Sequence, residues 1–360
     1  MIRRGRIDRR EFIYGAGAAF AAGGLLAACG DDDSSAPAPP DEIQTVSIEL
    51  DFIPNLIDSW LWVGESAGYF AAQGIELDRR IPGADLTLKP RLLGEGEFDL
   101  SFLDTPSLIF GRAQDIDIVA VGTLFAQYGA GVIFNADRGY TGPADMAGLT
   151  LANFNSLDWQ AFMRTFLADG GLTTDDVTIV DPAFNSVAAI SEGLADAADG
   201  LFYGERVTLS LLEGETPGWI PYTDHGVPDV PFYNLATRAD WASENEDLLK
   251  RFLVATGQSI KKYLTDPAAA EAAFVACCTE GATATGTLES TTAKYNAAIP
   301  FFLPPGAGDP ADADYLKLDE SNMQSVLDWA EDSGLAETVF SPGDYFVSDF
   351  LTDEATNPSI

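Results

Sequence analysis

The sequence predicts an α/β fold made of two units in series, and three observations carry that prediction. Short β-branched and apolar runs alternate with amphipathic stretches from residue 46 onward. The alternation passes through two rounds, the second starting near Asp137, and then gives way to a mainly helical tail. No long Gly/Ser linker separates the rounds and no period of roughly 20–50 residues recurs, so the units share crossovers and are not a tandem array.

Each element follows from its local pattern. Residues 46–52 alternate apolar and polar, as a strand with one buried face does. Residues 59–72 predict a helix with Leu61, Val63 and the aromatics on its faces, and Gly74 stops it. Strand 75–80, helix 87–93 closed by Gly94 and Gly96, strand 98–103, helix 107–113 and strand 116–124 complete the first round. The second round opens with a turn or short helix at 143–146. Strand 150–154, helix 158–170, strand 177–180, helix 186–192, strand 197–202, helix 208–213 and strand 219–223 follow. Beyond Pro228 comes a strand at 233–238. A long amphipathic helix at 245–265 carries Leu248, Leu249, Phe252, Leu253 and Ile260 at helical spacing. Further helices are expected at 267–278, 288–298 and 322–334, with 341–350 closing the domain.

The N-terminus reads as an export signal. Arg3, Arg4, Arg6, Arg9 and Arg10 precede an apolar stretch of small residues ending at Ala28. That stretch is shorter than the ~20 residues needed to span a bilayer. Arg9-Arg10-Glu11-Phe12-Ile13 looks like a twin-arginine signal. Leu26-Ala27-Ala28-Cys29 looks like a lipobox, with Cys29 as the lipid attachment site. Residues 1–28 are therefore expected to be a twin-arginine lipoprotein signal, and 29–44 an acidic flexible tether. The expected location is extracytoplasmic, lipid-anchored to the cell membrane.

Charge narrows the partners. The chain has 20 basic against 56 acidic residues; removing 1–28 takes away five arginines and two acids and leaves a net charge of −39. Such a surface repels nucleic acid and anionic lipid. It suits either a high-salt milieu or an ordinary acidic extracellular protein. Cys277 and Cys278 lie on a predicted helix and read as small buried thiols, with neither a disulfide framework nor a zinc site expected.

The motifs, taken in order, resemble one family. Asp51-Phe52-Ile53-Pro54-Asn55, Gly68-Tyr69-Phe70, Gly74-Ile75-Glu76-Leu77, the run from Gly94 to Ser101, Asp145-Met146-Ala147-Gly148-Leu149 and the Glu192-Gly193 to Ala197 step carry the likeness. Tyr345 to Leu351 adds its closing motif, so the match runs over nearly all of residues 46–351. The sequence is similar to solute-binding proteins of ABC importers in the thiamine-pyrimidine-precursor family, related to aliphatic-sulfonate and nitrate binding proteins. That resemblance implies a two-lobed, periplasmic-binding-protein-like fold of type II, α/β, with mostly parallel sheets and helices on both faces. It implies lobe one at 45–137 and 235–360, lobe two at 138–234, and a hinge at 135–137 and 230–234. A small-molecule ligand would sit between the lobes. An ABC permease is the implied protein partner, and the chain is expected to act as a monomer.

Loops after strands supply the candidate binding residues. In lobe one these are Asp51, Phe52, Asn55, Trp60 and Asp104, with Tyr128 after the fourth strand. In lobe two they are Asn155, Trp159, Asn185, Tyr203 and Glu205. Aromatic, amide and carboxylate groups suit a heteroaromatic ligand, pyrimidine-like or flavin-like. A sulfonate or nitrate would want Arg or Lys, and Arg206 is the nearest. Asp58 stands where pyrimidine-binding members of the family carry His. A fungal pyrimidine synthase shares the implied fold and uses a Lys and a His after the third strand. Here Ser101 to Ile109 has neither, and His225 is the one histidine of the chain. Neither a phosphate loop nor a nucleophile elbow is present, so catalysis, a cofactor and a metal are not expected.

Overall fold

Two five-stranded sheets organise the chain. The computed structural model describes residues 42–360 apart from 84, 155, 183–184, 280–286, 305 and 318–319. The signal, the tether and Cys29 lie outside the described residues. In chain order the strands are β1 (Gln44–Glu49), β2 (Ile75–Arg80), β3 (Leu100–Asp104), β4 (Ile118–Thr123), β5 (Ala130–Phe134), β6 (Thr150–Ala152), β7 (Thr178–Val180), β8 (Ala197–Leu201), β9 (Gly218–Pro221) and β10 (Tyr233–Arg238). The helices are α1 (Trp60–Ala67), α2 (Tyr69–Ala72), α3 (Lys89–Glu95), α4 (Thr105–Ala113), α5 (Leu157–Asp169), α6 (Ser186–Ser191), α7 (Glu205–Glu213), α8 (Ala239–Glu244), α9 (Glu246–Thr265), α10 (Pro267–Phe274), α11 (Leu288–Phe302), α12 (Glu320–Asp332) and α13 (Asp353–Thr356).

The first sheet runs β2-β1-β3-β10-β4 and the second β7-β6-β8-β5-β9. Each is mostly parallel with one strand reversed: β10 lies antiparallel to β3 and β4, and β5 antiparallel to β8 and β9. β4 and β5 are buried along their whole length, which explains their continuous apolar runs. Hydrophobic side chains of both lobes merge into one large core, with a smaller cluster around Ile133, Ala198 and Leu209 in the second lobe. All described residues fall within one compact unit.

The topology corrects the expected first crossover. β5 joins the second sheet, so the chain changes lobe between β4 and β5, before residue 130, and not at 135–137. The short run Ala-Gly-Val-Ile-Phe has no alternation to mark it as a strand; its pairing with β8 and β9 makes it one. The two crossovers hold each other: Leu124 N donates to Tyr233 O at 2.7 Å, and Phe232 N to Phe125 O at 3.0 Å. Helices of the C-terminal part then reach the second lobe. Trp329 of α12 donates Nε1 to Thr165 Oγ1 at 2.9 Å and stacks on Phe162 with centroids 5.4 Å apart. Phe301 of α11 meets Phe202 and Tyr203 at 5.7 and 5.1 Å.

A second correction concerns Cys277 and Cys278. Both are buried, as small apolar residues would be, but they are joined to each other as a disulfide in the π-helical turn after α10. Residue spacing cannot distinguish two adjacent thiols from such a ring. Among the described residues no helix is long and apolar enough to cross a membrane.

Candidate ligand-binding site

The carboxyl ends of the parallel strands converge where the lobes meet, the usual place for a cleft in α/β folds. After β1 the chain turns sharply before α1, and Asn55 organises the turn. Its Nδ2 donates to Asp51 Oδ1 at 3.0 Å and to Asp58 Oδ2 at 3.3 Å, and its Oδ1 accepts from Ile57 N at 2.8 Å. Asp51 is 6% exposed and Asp58 fully buried. Phe52 is half-buried in the same turn. Trp60 opens α1, is fully buried, and packs against Phe102 with centroids 5.9 Å apart. Lys89 of α3 reaches beneath the turn, where its Nζ donates to Leu50 O at 2.7 Å and Asp51 O at 3.2 Å.

After β3, Asp104 caps α4, accepting from Ser107 N and Ser107 Oγ, each at 2.7 Å. Pro106 in the first turn suits a helix start, where its missing N–H is not needed. Burial, and then the charge of Asp158 in the second lobe, push the Asp104 carboxyl up to about 7. Asp158 itself is raised by burial. It accepts from Tyr128 OH at 3.0 Å and Ser156 Oγ at 2.6 Å, so the first crossover is tied to the start of α5. The lobes thus face each other with a half-buried carboxyl group, Asp104, that feels the charge of a buried one, Asp158.

Aromatic rings fill the space between. Tyr128 lies edge-on to Phe232 at 4.0 Å and meets Trp159 at 5.9 Å. Phe125 contacts Tyr203, Phe232, Tyr233 and Phe302. Tyr203 is buried and donates to Tyr128 O at 3.4 Å. Burial, then the charges of Asp51 and Asp104, hold the Tyr233 hydroxyl well above the usual phenol range. Tyr233 therefore sits among carboxyl groups of the first lobe and beside Tyr203 of the second.

The structure brings Asp51, Asn55, Asp104, Tyr128, Trp159 and Tyr203 to this seam. Glu205 stands at its edge: it opens α7, its Oε2 accepts from Leu201 N at 2.8 Å, and its charge is felt by Tyr203 and by Lys294 of α11. Asn185 stands exposed at the start of α6, and Asn155 lies outside the described residues. Sequence reading missed Asp158, Phe232 and Tyr233 as site residues. Asp158 had a signal, since a carboxylate in the first turn of a helix after a strand is a strand-end group. Tyr233 had none, because the pairing of β10 between β3 and β4 places it.

Two surface hollows lie elsewhere. One of about 570 Å³ is lined by Asp314, Lys317 and the α13 segment and holds none of these residues. The other, about 290 Å³, opens between Gln127, Phe202, Trp219 and Phe301, where the crossover meets both lobes. Among the described residues no group of three His, Cys, Asp or Glu could hold a metal ion.

A family model described as NMT1/THI5 like matches residues 59–270, more than half of the chain. A formylaminopyrimidine-binding protein of Halalkalibacterium halodurans is 26% identical over 228 residues, 63% of this chain and 68% of that protein. A 4-amino-5-hydroxymethyl-2-methylpyrimidine phosphate synthase of Aspergillus parasiticus is 22% identical over 239 residues, 60% of this chain and 65% of that one. A solved periplasmic sulfonate-binding protein, SsuA from Methylobacillus flagellatus KT, superposes with a TM-score of 0.62 at 14% identity, covering 86% of this chain and 93% of that chain. The fold is that of the periplasmic binding proteins.

Proposed function

This chain belongs to the NMT1/THI5-like family, and from that premise we propose that it is an extracytoplasmic solute receptor for a small nitrogen heterocycle, serving an ABC permease. One observation carries the choice of ligand class. The seam offers phenol rings and carboxyl groups, while the cation beneath it, Lys89, is committed to two backbone carbonyls. A flat ring with N–H donors suits stacking and carboxyl acceptors. A sulfonate or nitrate wants several cationic or N–H donors at the seam's centre. Lys294 and Arg206 stand near Glu205, at the edge, and would serve a substituent more readily than the ring.

Hinge closure about the paired crossovers would trap the ligand, with α11 and α12 as the contacts that seal the lobes. The export signal and Cys29 support a lipid-tethered receptor. Binding is favoured over turnover because the stretch after β3 lacks the Lys and His of the related synthases.

A thermal-shift screen of the purified chain against pyrimidines, flavins, purines and sulfonates tests this. A ligand at about 100 times its Kd should add about 2.7 kcal/mol of stability. The expected result is a shift with an aminopyrimidine or flavin. A shift with sulfonates alone would sink the heterocycle reading, and chemical conversion of a bound compound would sink the receptor reading.

A further inference from the structure

Asp58 is fully buried in the turn between β1 and α1, and its two oxygens are treated differently. Oδ2 accepts from Asn55 N and Asn55 Nδ2, each at 3.3 Å. Oδ1 has no donor. The same Nδ2 reaches Asp51 Oδ1 at 3.0 Å, so one amide nitrogen spans both carboxyl groups. The groups that face Asp58 come from several elements: Asp51 from its own turn, Lys89 from α3, Tyr263 from α9 and Tyr233 from β10. None of them satisfies Oδ1. Lys89 Nζ is spent on Leu50 O and Asp51 O, and Tyr263 OH donates to Leu56 O at 2.9 Å. As a carboxylate, Asp58 thus keeps a buried acceptor without a donor, an arrangement proteins rarely retain. As a carboxylic acid it can hydrogen-bond to Asp51, and burial, followed by the Asp51 charge, favours that form.

We infer that Asp58 is a specificity-determining residue of the interlobe site: with Asp51 it forms a proton-sharing carboxyl pair kept for a ligand edge that bears N–H donors, and that edge replaces the shared proton on capture. The inference rests on the proposed receptor function and names the recognition chemistry of the same site. The balance is simple. The ligand's N–H becomes the donor to Oδ1, and the carboxyl proton leaves to solvent. Anionic ligands without N–H groups, such as a sulfonate or nitrate, leave the pair protonated and gain nothing from it.

Two measurements test it, on the wild-type chain and on Asp58→Asn, which keeps the shape and the acceptor for Asn55 but cannot ionise. The first needs no ligand. A carboxyl group held above its unfolded value of about 4 adds stability that is complete below that pH and lost as pH rises through its folded value. Asp58→Asn should therefore melt at the wild-type temperature near pH 4 and a few degrees above it near pH 8. Melting below wild type at both pH values would make Asp58 a structural acceptor and overturn the inference. The second is calorimetry with 4-aminopyrimidine near pH 7, in two buffers of different ionisation enthalpy. Wild type should release close to one proton per ligand, and the variant none, with affinity lower by tenfold or more. Equal proton release in both proteins would overturn the inference even if both bind. Failure of wild type to bind, with the melting difference intact, removes the heterocycle reading while leaving the proton-sharing pair supported.

Discussion

Asp199 in β8 of the second lobe and Asp58 in the turn before α1 of the first are both fully buried carboxyl groups, and they are provided for in opposite ways. Asp199 Oδ1 accepts from Tyr222 OH. Its Oδ2 accepts from Asn153 Nδ2 and, at 3.0 Å, from Phe154 N. Those donors come from the loop after β6 and from the segment after β9, so one carboxyl group ties three parts of the second lobe together. Asp58 has donors on one oxygen only, both from Asn55, and Glu49 nearby in β1 likewise has one buried oxygen without a donor. A saturated buried carboxyl group fixes a fold, whereas an unsaturated one costs stability until a donor completes it. The lobes share their topology but divide these tasks.

The strongest way to break that comparison is to remove the saturated group. Asp199→Ala leaves three buried donors without an acceptor, and each loss costs about 1–3 kcal/mol. We expect a loss of about 4 kcal/mol by denaturant unfolding, a fall of roughly 10 °C in Tm. A loss below about 1 kcal/mol would mean that Asp199 is no more structural than Asp58. The pH dependence sharpens the same point. Burial pushes Asp199 up to about 8 against the pull of its three donors. Its folded value thus exceeds the unfolded value of about 4, so the protonated form stabilises the fold below that pH and the contribution fades as pH climbs through about 8. Stability of the wild type should decline across that window, and Asp199→Asn should flatten the decline.

Tyr128 is the intermediate case. Its hydroxyl joins the crossover to Asp158 at 3.0 Å, but Ser156 still serves the other oxygen when it is gone. Tyr128→Phe should therefore cost only about 1 kcal/mol of stability. Because Asp158 faces Asp104 across the seam, the variant should weaken ligand binding by more than it weakens the fold. Equal losses in both measurements would place Tyr128 with the structural carboxyl network rather than with the site.

The two carboxyl clusters differ in how far the sequence reveals them. Asp51 and Asn55 were legible because a strand followed by a Pro-containing turn and a helix puts side chains at a strand's carboxyl end. Asp104 was legible for the same reason, and its partner Ser107 follows at capping distance. Asp199 was not, because its donors lie 46 residues before it and 23 after it, and only the folded sheet collects them. Tyr233 depended on β10 inserting antiparallel between β3 and β4, a long-range pairing with no local trace. β5 escaped because a buried strand of five residues shows no period, and that omission alone moved the expected crossover. The Cys277–Cys278 bond escaped because the residues are the same in either redox state.

The smallest expected effect separates buried carboxyl groups from the exposed ones that give the chain its net charge of −36. Repulsion among exposed carboxylates is screened within about 3 Å at molar salt, whereas Asp58 and Asp199 are shielded by protein and not by ions. Raising NaCl from low to molar concentration should lift Tm by roughly 2–4 °C through the charge coat, a shift of about 1 kcal/mol. The difference in pH dependence between wild type and Asp199→Asn should stay the same in both salts. Loss of that difference at high salt would show that Asp199 titrates in contact with solvent. The division between a saturated carboxyl group in one lobe and an unsaturated one in the other would then fail at its structural end.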